Sequence, residues 1–388
     1  MTSDTQYPRF SRAEYNRRYE NVRELSHSLG LDGLVVFGWS AMGRAAQADV
    51  HYLSGYLGAR DNYVVFPVAD EPVLIAQNRN HIPNAAAVSI INDVRWGGPD
   101  NGKSIAEVLI ARGMTKVGVV GWMPYQQYES MRSHASGAEF RDVSAAFRML
   151  RVDKSAEEIE WLRKGAAFTD LGLKGLHEGI RPGMREYQLA ELIENSYLSE
   201  GGMASFYYLS STSMANPDKC VPSQVLGNRV IEEGDLITTE MSIGFGGYAG
   251  QGLRSYTVAA EPTSLVAELH EIALGVYDAV AAAIRPGATQ EDVWAASDII
   301  DEKGFTICDG LLHGFGMGIL PPSMMTRQTA EAKASADWVF KENQTIVIQP
   351  NVVTHDESIG VQVGELCVVT PEGAVSLHNY ERALLRCA

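Results

Sequence analysis

The chain has 388 residues, too many for one ordinary core and enough for two domains. Apolar residues make up 45% and charged residues 21%, the balance of a soluble globular protein. The net charge of −16 argues against nucleic acid and anionic membranes as main partners, since their phosphates would be repelled.

Cys220, Cys308, Cys367 and Cys387 are scattered with no CxxC pair, so neither a zinc site nor a disulfide framework is expected. Residues 1–18 are polar and contain no signal core. No apolar run approaches the roughly 20 residues that span a bilayer. The expected compartment is therefore the cytoplasm.

In chain order, Ser11 to Leu29 is predicted as an amphipathic helix capped by Ser11, with Tyr15, Tyr19, Val22, Leu25 and Leu29 recurring at three and four. Gly33 to Gly38 is a short continuous apolar run typical of a buried strand. Residues 62–68 and 71–77 form a strand pair around a polar turn. A helix over 104–112 and a buried strand over 116–121 complete a small mixed α/β domain, placed at 1–150. The charged stretch from Arg148 to Glu158 marks the boundary, and 151–388 is the second domain. It opens on a long helix over 155–177.

This second half repeats itself. Gly179-Ile-Arg-Pro-Gly183 precedes one helical stretch, and Ala283-Ile-Arg-Pro-Gly287 precedes another. Each copy reads as a long helix, a turn, a second helix ending near glycine (Gly201 and Gly304), and then strands. Duplication implies a pseudo-twofold arrangement with a site where the halves meet.

These residues resemble the pita-bread family of creatinase, prolidase and aminopeptidase P. The landmarks are His51-Tyr-Leu-Ser-Gly-Tyr56, Leu150-Arg151 with Lys154 to Ile159, Gly234-Asp235, His313-Gly-Phe-Gly316, and Ile348-Gln-Pro350 followed by Gly360-Val361. The resemblance implies an α+β protein: a small mixed α/β creatinase-like N-terminal domain, a pseudo-twofold pita-bread C-terminal domain, and a homodimer.

Metal-dependent members of this family hold two ions on two aspartates, a histidine and two glutamates. Here the matching positions carry Glu240, Gln251, His313, Gln349 and Gly364, with Glu365 one step beyond the last. One carboxylate and one histidine face a demand for several anionic donors, so no metal and no cofactor are expected. Strand alternation turns Glu365 away from the face that Gly364 occupies.

The condition resembles the metal-free branches, creatinase and ectoine hydrolase, which cleave C–N bonds in amidine-like substrates. Glu240 in the first slot resembles ectoine hydrolase, whereas Ala215 in Ser213-Met-Ala-Asn-Pro217 stands where creatinase has a histidine. The expected activity is metal-independent hydrolysis of a C–N bond in a small amidine, amide or cyclic amidine. Glu240 acts as nucleophile or general base, with a protonated His313 as its partner and acid. Glu365 is the third catalytic candidate.

Tyr207, Tyr208, Gln251, Arg254, Gln349 and His355 are expected to bind substrate. Arg60, in the tip Gly58-Ala-Arg-Asp-Asn62, matches a loop that crosses the creatinase dimer, and its guanidinium fork suits a substrate carboxylate. The competing readings are a metal-dependent Xaa-Pro-type peptidase with altered ligands, and a non-hydrolytic lyase or binding relative.

Overall fold

The structure is a computed structural model and describes residues 6–39, 44–330 and 337–388; the first five residues of the polar N-terminal stretch lie outside the described residues. Two compact units are present, Met1–Arg151 and Val152–Ala388. No helix among the described residues is long and apolar enough to cross a membrane.

The first unit is a six-stranded mixed sheet built from Gly33–Gly38 (β1), Asn62–Pro67 (β2), Val73–Ala76 (β3), Asp93–Trp96 (β4), Lys116–Val120 (β5) and Glu139–Asp142 (β6). The order is β4-β3-β2-β1-β5-β6. The continuous apolar run of β1 has a simple cause. Leu34 and Val36 enter one core while Val35 and Phe37 enter the core on the other face, so neither face tolerates a polar side chain.

The first helix, Arg12–Ser28, begins at the predicted cap, where Ser11 Oγ accepts from the Glu14 amide at 3.1 Å. The His51 signature forms the end of helix Ala48–Ser54 and the glycine that stops it. Gly55 has φ +71°, and a Cβ there would lie 2.4 Å from the Tyr15 hydroxyl, so both backbone and packing demand glycine. Arg60 lies in the bend before β2 with its side chain exposed.

The second unit is duplicated in detail. Helix Ala156–Gly179 is followed by helix Leu189–Tyr197 and by strands Met203–Ser213 (β7), Asp235–Phe245 (β8) and Tyr248–Val258 (β9). Helix Ser264–Ala283 is followed by helices Gln290–Ser297 and Ile299–Glu302. Strands Thr306–Ile307 (β10), Leu312–Gly316 (β11), Gly318–Met324 (β12), Thr345–Ile348 (β13), Val352–Val353 (β14), Gly364–Thr370 (β15), Gly373–Ser376 (β16) and Leu385–Cys387 (β17) complete the chain.

The two Ile-Arg-Pro-Gly turns adopt one geometry. Ile180 and Ile284 are both extended C-caps, and Gly183 and Gly287 have φ +91° and +94°. Each of these glycines donates its amide across the unit, to Ile231 O at 2.8 Å and to Phe340 O at 2.9 Å.

The halves join in one sheet of order β12-β11-β13-β15-β9-β8-β7, with β16 on β15 and β17 on β9. The seam is the β15–β9 pair, in which Gly364 faces Leu253 and Glu365 faces Gly252. Helix Ala156–Gly179 covers one face so closely that a Cβ on Gly250 would lie 2.2 Å from Ala166 Cα. Ile237, Met241 and Ile243 of β8 point into the core beneath that helix. Alternation sends Thr238, Glu240 and Ser242 to the opposite face.

Candidate active site

Glu240 sits in β8 opposite Leu253 of β9, and Gln251 lies two residues along β9 on the same face. Gln251 Nε2 donates to Glu240 Oε1 at 2.8 Å and across the seam to Gln349 Oε1 at 3.1 Å. Gln349 Nε2 in turn donates to Asp309 Oδ2 at 3.2 Å and to Gly310 O at 3.1 Å. Both amide nitrogens thus spend their hydrogens inside a chain that runs from the half-buried Glu240 in the first half, through the buried Gln251 and Gln349, to the exposed Asp309 in the second.

His313 lies on β11 at a β-bulge, since the register against β12 shifts between His313 and Gly314. Bulges re-aim side chains beside functional sites. Its Nδ1 is 3.1 Å from Gly314 O. A carbonyl can only accept, so Nδ1 carries the proton and the neutral ring presents its lone pair on Nε2.

The electrostatics differ from the expected ion pair. Burial raises the Glu240 carboxyl to about 7, with the negative Asp309 adding to the effect. Burial lowers His313 below the usual imidazole range, although the Gly314 carbonyl, Asp309 and Gln349 all oppose the shift. Glu240 and His313 form no ion pair among the described residues. At neutral pH the histidine is neutral and the glutamate is about half protonated. The expected pairing of ionised Glu240 with protonated His313 is therefore corrected: among the described residues no cationic side chain pairs with Glu240 to offset the cost of desolvating the carboxylate.

Glu365 is corrected as well. It is fully buried on the helix side of the sheet, with Oε2 accepting from Arg254 Nη2 at 2.6 Å and Oε1 from Arg382 Nη1 at 2.5 Å. Burial pushes its pKa up, but Arg254, His378, Ser376 and Arg382 overcome this and hold it at about 2. It is a structural carboxylate and not a catalyst.

Arg254 is equally committed. Its guanidinium donates to the carbonyls of Glu381, Leu253, Gly364 and Tyr380 as well as to Glu365, which leaves nothing for a substrate.

The two tyrosines separate by strand alternation. Tyr208 stands directly opposite Glu240 and stacks on Phe206, with ring centroids 4.6 Å apart. Tyr207 points the other way and donates its hydroxyl to Glu194 Oε1 at 2.7 Å, so it does not line the Glu240 face. His355 is exposed in the turn after β14 and makes no hydrogen bond to the network among the described residues. Asp309 was missed by sequence reasoning, because an Asp-Gly pair before a strand carries the ordinary signal of a turn. An open groove of about 380 Å³ lined by Glu268, Glu271, Ile272 and Lys303 shares no residue with this network.

A half-buried carboxyl poised near neutrality, bonded to Gln251 and set on a duplicated sheet, lies in a domain of the pita-bread class. Residues 160–371 match the model of metallopeptidase family M24, and residues 18–152 match the creatinase/prolidase N-terminal domain. The first match spans more than half of the chain, and the chain belongs to metallopeptidase family M24. That membership supports a hydrolase.

Among relatives, the uncharacterized peptidase YqhT of Bacillus subtilis (strain 168) is 24% identical over 95% of this chain and 99% of its own. The Xaa-Pro dipeptidase of Pyrococcus furiosus is 25% identical over 71% of this chain and 77% of its own. The solved Xaa-Pro dipeptidase from Bacillus anthracis superposes with a TM-score of 0.81 at 21% identity, over 96% of this chain and 99% of that one, which is a likeness of fold.

The family name implies a metal centre, and the residues present do not fit one. Gln251 and Gln349 are neutral, and their amide hydrogens are already donated. At Gly364 a Cβ would lie 2.5 Å from Ile348 O and 2.9 Å from Gln349 Cα, both backbone atoms, so no ligand side chain has room. Among the described residues no group of three or more His, Cys, Asp or Glu side chains is placed to hold an ion.

Proposed function

We propose that the protein hydrolyses a C–N bond in a small amide, amidine or cyclic amidine without a metal ion, with Glu240 as the group that moves the proton. The observation that supports this reading most strongly is the pairing of Glu240 with the neutral Gln251 in a network of amides, where a metal-dependent site needs several anionic donors.

In this reading, ionised Glu240 takes a proton from water as its oxygen bonds to the electrophilic carbon. The protonated carboxyl then delivers that proton to the nitrogen as the C–N bond breaks. A carboxyl near 7 suits both halves of the cycle, because it gives and takes a proton at similar cost. Gln251 orients the carboxyl through Oε1. His313, neutral with its lone pair on Nε2, accepts a hydrogen bond from substrate or water. Tyr208 flanks Glu240 on the open side.

The chain acts as a homodimer in this proposal, and the exposed Arg60 enters the partner's site to meet a substrate carboxylate. Size-exclusion chromatography with light scattering reads the mass directly, and a monomer with full activity would remove the dimer from the account.

The names of the relatives favour a second reading, a metal-dependent Xaa-Pro dipeptidase. Elemental analysis of purified protein, with hydrolysis of amidine, amide and Xaa-Pro substrates measured before and after chelation, separates the two. The expected result is no stoichiometric transition metal and chelator-insensitive turnover. Turnover in Glu240→Gln is expected to fall by at least about a hundredfold, the loss typical of an acid–base group. One or two ions per chain, with activity lost on chelation, would establish the peptidase reading instead.

A further inference from the structure

Two other amides lie in this sheet, and their condition is the reverse of Gln251 and Gln349. The pairs Ile348↔Glu365 and Val353↔Gly360 share one register, which sets Asn351 opposite Gln362. Val352, Val361 and Val363 enter the helix-side core. Their alternating neighbours Asn351 and Gln362 therefore take the other face, with Gly364 and Gln349. Gln362 also sits beside Ser255 of β9, whose hydroxyl accepts from the Gln362 backbone N–H at 2.7 Å. Ser255 pairs with Thr238, two residues before Glu240, so the Asn351–Gln362 row adjoins the Glu240 row.

Asn351 and Gln362 are each 1% exposed, and among the described residues neither the nitrogen nor the oxygen of either side-chain amide has a hydrogen-bond partner. Ser242 Oγ, on the other side of Glu240 along β8, is buried and unpartnered too. Folded proteins satisfy nearly all buried polar groups, because an orphaned one bears its full desolvation penalty. Two buried amides opposite one another in register, one row from the Glu240 carboxyl, keep hydrogen-bonding capacity that no described residue uses.

The chemistry of that partner follows from what surrounds it. The formal charges in the neighbouring hydrogen-bond chain are Glu240 and Asp309, both acidic, which disfavours a carboxylate against these two amides, away from the substrate carboxylate assigned to Arg60. The cations of the adjoining strands and loop are already paired: Arg254 with Glu365 on the opposite face, Lys219 with Glu186 and Arg229 with Asp235. Two carboxamides offer donors and acceptors in equal number, the complement of a neutral planar group that does the same.

We propose that Asn351 and Gln362 form a substrate subsite for a neutral amide-type group, such as a primary amide, lactam or ureide, positioned beside Glu240. The proposal rests on the reading of the Glu240 face as the substrate site and is independent of whether a metal takes part. Gln251 and Gln349, fully partnered, are the fixed frame; Asn351 and Gln362 select the ligand.

Saturation-transfer NMR with acetamide, 2-pyrrolidinone and N-methylurea as probes, and acetate and trimethylammonium as controls, tests it without measuring turnover. The three neutral probes are expected to bind wild-type protein and the controls are not. Asn351→Leu and Gln362→Met, which keep volume and remove the amides, are expected to lose at least about fivefold of the signal while melting at the same temperature as wild type or higher, since an unsatisfied polar group is replaced by an apolar one. Unchanged probe binding in both variants would overturn the subsite. So would acetate binding as well as the amides, or a lowered melting temperature, which would mark the amides as structural groups held by buried water. Metal found in the purified protein would sink the metal-free reading and leave this result standing.

Discussion

Glu240 and Glu365 are glutamates of one sheet, separated by β9 and facing opposite sides. Glu365 lies between Arg254 and Arg382 and is held ionised at about 2. Glu240 has a neutral amide on one oxygen and the negative Asp309 nearby, and burial lifts it to about 7. The same side chain, fully buried on the helix side and half-buried on the other, becomes a permanent anion in the first place and a group that titrates near neutrality in the second. Burial alone does not decide which; the charge of the neighbours does.

The sharpest way to break the comparison is to neutralise each glutamate in turn. Glu365→Gln strands Arg254 in the interior and is expected to cost about 3–5 kcal/mol of stability, the usual result of removing one partner of a buried pair. Urea denaturation measures it, and a loss under 1 kcal/mol would mean that the pair is not the anchor its geometry suggests.

Glu240→Gln is expected to act in the opposite direction. The folded pKa of Glu240 lies above the ordinary 4.5, so the folded protein binds the proton more tightly than the unfolded chain. Its contribution is fully present below about pH 4.5 and declines by roughly 3 kcal/mol as pH climbs to about 7. At pH 8 the glutamine variant should therefore be more stable than wild type by up to that amount while losing turnover. For Glu365, the folded pKa lies below the ordinary value, so its contribution is present above about 4.5 and is lost as pH falls to about 2. Stability differences between wild type and each variant, followed from pH 3 to 8, should slope in opposite senses; parallel slopes would refute the contrast.

Arg60→Ala marks the small end of the scale. The residue is exposed, and its backbone carbonyl, which the substitution keeps, accepts from Gln47 and Asn62. Thermal unfolding should change by no more than about 0.5 kcal/mol, as for surface positions in general. A loss of activity without a loss of stability would then mark a role in the dimer's site.

Much of the fold was legible because its signals are local. Ser11 and Ser155 announce helix starts through one side-chain oxygen each, and the paired Ile-Arg-Pro-Gly turns carry the duplication in four letters. Strand alternation foretold that Glu365 would face away from Gly364. The site was legible in its residues and not in its partners. Glu240, Gln251, Gln349 and His313 meet through the seam, but which oxygen receives which proton depends on contacts across as many as 98 residues of sequence, as between Gln251 and Gln349. Arg254 reads as a site residue through its match to a family arginine and Tyr207 through its place beside Tyr208, and only their contacts with Glu365 and Glu194 on the other face remove them. Asn351 and Gln362 had no signal, since an orphaned amide shows itself only when its surroundings are known.

Gly364 carries a consequence for anyone who would engineer this site. Four of the five slots can be given an acidic or imidazole side chain by exchanging one residue for another, but the fifth is closed by the backbone oxygen of Ile348. A combinatorial library of point substitutions would therefore converge on incomplete donor sets, however many members it held. Installing a bimetallic centre here requires remodelling the β13–β15 spacing itself, a change to the main chain that side-chain design leaves untouched.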